Sequence, residues 1–259
     1  MRLVPLLIAC SLAVPAGAAT IAAHHAVYDL TLQSSTDQGV LAATGTMTYA
    51  IADACTGWTT SQHLEIHMTD RDRGDVTTVT DYGTFESKDG THLTFHTRQS
   101  SDGTVTDAFD GTAVLDRSGG HGHADYTAPE VRRIALPPGT LLPIAHTLAI
   151  LAAGHAQKHF FAAPLFDGTV DDGAEDTFVT IEGWGPPRRE RWSALSALPS
   201  GRVHVAFFQR TAAAEEPDYE IGMRYFDNGV ADDLAMNFGD FVMVGKLVQL
   251  ELSPPIPKC

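Results

Sequence analysis

The chain has 259 residues, 44% of them hydrophobic and 19% charged, with 17 Lys and Arg against 32 Asp and Glu for a formal charge of −15. That apolar content is ample for a real core, and the composition is neither disordered nor collagenous. An acidic surface repels phosphate, which argues against nucleic acid as a partner and disfavours anionic lipid head groups.

The first element is an export signal. Arg2 supplies the positive charge, "LVPLLIACSLAV" the apolar run and Ala16-Gly17-Ala18 the small-residue cleavage site, so residues 1–18 are expected to be removed. The run is too short to be a transmembrane helix, for which about 20 apolar residues are needed. "LIAC" also has the form of a lipoprotein box that would place lipid on Cys10, but only nine residues precede that cysteine and a second site lies at normal distance downstream. Removing residues 1–18 leaves Cys55 and Cys259. Two cysteines in an exported protein imply one disulfide, the alternative being two unrelated free thiols. Such a bond closes a loop of about 205 residues, for which the chain-entropy model gives roughly 5 kcal/mol as an upper figure.

Beyond the signal, alternating apolar residues predict strand after strand: "HHAVYDLTLQ", "ATGTMTYAIA", "QHLEIHM", "DVTTVTDYGTF", "THLTFHT" and "GTAVLD", then "DTFVTIEGW", "GRVHVAFFQR", "DYEIGMRYF" and "DFVMVGKLVQLEL". Turn-type pairs punctuate them at Asp89-Gly90, Asp102-Gly103, Asp110-Gly111, Asp167-Gly168, Asp172-Gly173 and Asn228-Gly229. This pattern predicts an antiparallel all-β sheet, rolled or sandwiched, in one domain over 19–259. One segment breaks the rhythm, "LPPGTLLPIAHTLAILAAGHAQ". Pro143 suits a first helical turn and Gly154 a C-terminal boundary, and a helix apolar on most faces must be buried inside or across the sheet.

Few residues suggest chemistry. His63, Glu65 and His67 share one face of a strand and are the right donors for zinc, yet the same pattern is an ordinary solvent face opposite Leu64, Ile66 and Met68. His121 and His123 sit in a glycine-flanked turn. The chain has no G-x-S-x-G elbow, no H-E-x-x-H, no S-x-x-K and no phosphate-binding glycine loop. The residues therefore predict a non-enzymatic protein without cofactor or metal. A metal-dependent hydrolase built on His63, Glu65 and His67 is the rival reading.

The stretches "HHAVYDL", "DACTGW", "LPPGTLLPIAHT", "APLFDGT" and "PDYEIGMRYFDNGVADDLAMNFGDFVMVGKLVQLELSPPIPKC" resemble, in order, the cell envelope integrity protein EipB family of periplasmic proteins of Gram-negative bacteria. The pairing of an early C-x-G-W with a terminal cysteine is the most specific part of the match, and residues 97–135 match least well. The resemblance implies a β-spiral, an oval broken barrel of antiparallel strands with the Pro143–Gly154 segment as its lone helix, and a bond between Cys55 and Cys259. It also implies a role in maintaining the envelope under stress, without known catalysis. Related open-barrel folds include lipoprotein carriers, so the partners expected are envelope proteins or a lipid or apolar peptide, with neither nucleic acid nor a membrane span.

Overall fold

The computed structural model describes residues 20–36, 39–210 and 216–254. Fourteen strands lie in one sheet in which every strand pairing is antiparallel. The first arm comprises β1 (His24–Ser35), β2 (Val40–Asp53), β3 (Gly57–Asp70), β4 (Gly74–Ser87), β5 (His92–Ser101), β6 (Thr104–Leu115), β7 (Gly122–Ala128) and β8 (Arg132–Leu136). A helix, α1 (Pro143–His155), follows, and is the α-helix among the described residues. The second arm comprises β9 (Phe160–Leu165), β10 (Glu175–Gly185), β11 (Ser200–Phe208), β12 (Tyr219–Phe226), β13 (Ala231–Asn237) and β14 (Phe241–Leu252).

Each arm is a meander, and they join where β14 pairs with β1 in the middle of the sheet. The outer strands, β8 and β9, do not pair with each other, so the sheet is an open, broken barrel. What spans the gap is loop and side chain. Leu141 bridges to Leu165, and three hydroxyls of the first arm hold the loop after β9. Tyr82 donates to Asp167 O at 3.2 Å, Thr97 to Gly168 O at 2.9 Å and Tyr126 to Val170 O at 2.9 Å. Buried backbone carbonyls need donors, and here hydroxyls replace the missing ladder.

The period-2 alternation places Ala26, Tyr28 and Leu30 of β1, Leu64, Ile66 and Met68 of β3, Val203 and Val205 of β11 and Leu234 and Met236 of β13 in one interior cluster. A second cluster, around Phe95, Tyr126 and Phe166, fills the space under β5–β8, its three rings meeting edge to face at centroid separations of 5.3–6.2 Å.

Helix α1 packs inside the curl, burying Ile144, His146, Ile150, Leu151, Ala153 and Gly154. Its N-cap, Leu142, offers no capping side chain. A carboxylate from the sheet does that work instead: Glu86 of β4 accepts the N–H of Ile144 at 2.6 Å and of Ala145 at 2.9 Å. The helix ends at His155, one residue past the expected boundary at Gly154, where a Cβ would stand 2.4 Å from the Trp184 ring; a left-handed residue, Gln157 at φ 53°, follows. One expectation needs correcting. Asp110-Gly111 is no hairpin turn but lies inside β6, at a register shift against β7.

Candidate functional site

The curled sheet has two ends, and each end has an opening. At the helix end lies a cavity of about 200 Å³ bounded by α1, β1, β2 and β11–β13. Its wall is mostly apolar, with Ile21, Ile51, Ile144, Ile150 and Leu234; Tyr28, Tyr49, Gln62, Thr147 and Tyr225 add polar atoms, and two buried histidines, His24 and His146, enter it. His146 lies 2.9 Å from the Thr177 hydroxyl, which itself donates to Ala163 O at 2.7 Å. Burial pushes the His146 ring down to about 4 and lowers His24 as well, so both are neutral near pH 7. Tyr28 donates to Ala231 O at 2.8 Å, and burial raises its phenol well above the usual range.

At the opposite end a groove of about 480 Å³ opens between the β3–β5 wall and the β13–β14 turn. Val40, Leu64, Ile66, Met68, Phe238 and Phe241 supply its apolar wall, with Thr78, Thr80 and Gln99 beside them. The rim is acidic. Arg73 bonds Asp70 at 3.2 Å, and Asp102 and Asp240 also act on it, the three carboxylates holding its guanidinium above the usual range. A row of rings joins the two openings along the wall: Phe207 of the cavity meets Tyr219 at 5.6 Å, Tyr219 meets Phe238 at 5.5 Å and Phe238 meets Phe241 at 5.0 Å.

Other buried acids lie away from both openings. Burial pushes Glu86 up to about 7 against the opposing pull of its two backbone donors. Glu175, at the start of β10, is raised to about 8 by burial first and then by Asp167, Asp172 and Asp218. Neither lines the cavity or the groove.

The residues singled out from the sequence fall elsewhere. His63, Glu65 and His67 share the outer, solvent-facing side of β3 as expected, but His63 turns to Asp81 at 2.7 Å, and His67 to Thr77 at 3.0 Å and Glu65 at 3.2 Å. His121 pairs with Asp116 at 3.2 Å and His123 with Asp125 at 3.5 Å. Among the described residues no three such donors gather around one point. Cys55 occupies the β2–β3 turn at φ 64°, its N–H donated to Asp53 at 2.8 Å. Cys259 and Cys10, like the export signal, lie outside the described residues. The rest of the C-x-G-W stretch has a local reason: a Cβ on Gly57 would meet the Glu86 carbonyl at 2.4 Å, and Lys88 sits 3.8 Å above the Trp58 ring while bonding Asp53 at 2.7 Å. His24 and His146 were not singled out, because nothing local marks a histidine in an apolar run as lining a cavity.

An open antiparallel barrel with an apolar interior and one helix inside it defines a beta-barrel-like protein. The solved structure of a beta-barrel-like protein of a domain of unknown function from Brucella abortus matches it with a TM-score of 0.83 at 28% identity, over 92% of this chain and 100% of that one. Residues 15–254 match the model of the EipB-like family, and the chain belongs to that family. It is 27% identical over 244 residues to the cell envelope integrity protein EipB of Brucella abortus, covering 92% of this chain and 86% of that protein. No helix among the described residues is long and apolar enough to cross a membrane.

Proposed function

We propose that this chain is an exported, periplasmic protein that helps maintain the cell envelope by binding, without catalysis, an apolar peptide segment of an envelope protein. The observation that carries this reading is the groove at the end of the curl away from α1, where the inward apolar face of β3 reaches the surface beside Phe238 and Phe241. Ungrouped surface hydrophobics are ordinary, but an apolar trough with a polar rim marks a binding site. The acidic rim, in a chain of net charge −15, favours a segment flanked by Lys or Arg and disfavours anionic lipid. The name of the Brucella abortus relative supports the envelope role. A binding function agrees with Glu86 being held as the cap of α1 and His146 Nε2 in a bond to Thr177.

Export through the residue 1–18 signal and a Cys55–Cys259 bond complete the proposal. The bond is within reach. β14 ends beside His24, which pairs across β1 with Ile51 of β2, so Leu252 and the Cys55 turn lie at the same end of the sheet. About three strand spacings of 4.8 Å separate them, and five residues beyond Pro254 span up to about 17 Å.

A deletion strain challenged with detergent or a cell-wall antibiotic tests the groove's role. Wild type should restore survival, and Phe238→Glu with Phe241→Glu should not, although the variant accumulates to the same level. Full rescue by the double variant would remove the groove from the function.

A further inference from the structure

The two histidines at the cavity beneath α1 each have one ring nitrogen committed. His24 Nδ1 lies 2.7 Å from Ala22 O. A carbonyl oxygen only accepts, so Nδ1 carries the hydrogen and Nε2 keeps its lone pair. Thr177 has one hydroxyl hydrogen and gives it to Ala163 O. It must therefore accept from His146 Nε2–H, which leaves His146 Nδ1 as a lone pair. Neither second nitrogen has a hydrogen-bond partner among the described residues. Nor is either a sealed, orphaned atom, and both rings line the cavity.

We infer that this cavity is a binding site for a small, uncharged, mostly apolar molecule that carries a hydroxyl or N–H donor, a single phenol-like ring being the chemistry that fits. An apolar cavity of about 150 Å³ holds benzene, and this one is about 200 Å³, room for one ring with one or two further heavy atoms. A phospholipid is too large. A charged molecule would lose its hydration against a wall of Ile144, Ile150 and Leu234 without a counter-charge from two neutral imidazoles. An apolar molecule lacking a donor would bury its surface but leave both acceptors unmet, which is where discrimination arises. The site is separate from the groove at the other end of the curl and stands or falls independently of it.

Phenol and toluene differ by a hydroxyl against a methyl, so their comparison by calorimetric titration into the mature protein reads the acceptors directly. Phenol should bind about tenfold more tightly than toluene, the difference of one good hydrogen bond. One O–H meets one of the two acceptors, so at least one of His146→Phe and His24→Phe should shrink that preference several-fold while toluene still binds. Equal binding of the two probes to wild type, binding of neither, or an unchanged preference in both folded variants would overturn the assignment.

Discussion

The Glu86 carboxylate accepts the backbone N–H of Ile144 at 2.6 Å, across 58 residues of sequence. Glu86 is 1% exposed, so the helix start and the end of β4 are tied together where water cannot substitute. This bond sets the position of α1 and with it the roof of the cavity that Ile144, His146 and Ile150 help to line.

Glu86→Ala should therefore destabilise the protein by about 2–4 kcal/mol, because two buried N–H groups lose their acceptor. Glu86→Gln keeps one acceptor oxygen and should cost clearly less. Urea titrations of the three proteins check the order. A cost for Glu86→Ala below about 0.5 kcal/mol, the range of surface sites, would mean that the cap contributes nothing.

The same residue gives a pH signature. Its folded pKa, about 7, exceeds the ordinary glutamate value, so the folded state binds the extra proton. The associated stability is complete below the unfolded pKa, near 4.5, and is lost as pH rises through 7. The stability of wild type minus that of Glu86→Gln should fall between those limits. His146 works in the opposite sense: its pKa is depressed to about 4, so its contribution is present above 6.5 and lost as pH falls through 4. Wild type minus His146→Phe should rise with pH across that window. Denaturant series at several pH values read both slopes.

Gly154→Ala decides between propensity and packing. Alanine in a helix interior gains about 1 kcal/mol over glycine, but here its Cβ would lie 2.4 Å from the Trp184 ring, and overpacking costs about 1–3 kcal/mol. Packing should win, with a lower thermal midpoint. A higher midpoint would show that Trp184 moves aside freely.

If Cys55 and Cys259 are joined, Cys55→Ser and Cys259→Ser should be equally destabilising, and the double variant no worse than either. Removing a native disulfide costs about 2–5 kcal/mol. Ellman titration of unreduced, denatured mature protein should find no thiol. Two reactive thiols would show that the bond is absent.

Strands with one buried face were legible in the sequence, as in β1, β3 and β11, because burial on one side imposes period-2 alternation. β13 was not. Its "ADDLAMN" carries Asp232, whose carboxylate accepts the Leu247 N–H at 3.0 Å, and Asp233, at φ 51°. β9 contains Pro164 and borders no other strand on its free side, and β7 and β8 lie in a charged, glycine-rich stretch where alternation is weak. The helix was legible from its apolar run, but what it meets was not. Glu86 to Ile144 and His146 to Thr177 join residues 58 and 31 positions apart, and the groove exists only because Leu64 and Ile66 of one arm come to lie beside Phe238 and Phe241 of the other.

The central claim is that the groove takes an apolar peptide segment with basic flanks. Fluorescence anisotropy of a labelled peptide with an apolar core between lysines, titrated with the mature protein, tests it most directly. The account predicts saturable binding that weakens as salt is raised, as expected for an acidic rim, and at least a tenfold loss in Phe241→Glu. Binding of lysophosphatidylcholine in the groove with no binding of the peptide, or peptide affinity unchanged in Phe241→Glu, would contradict it.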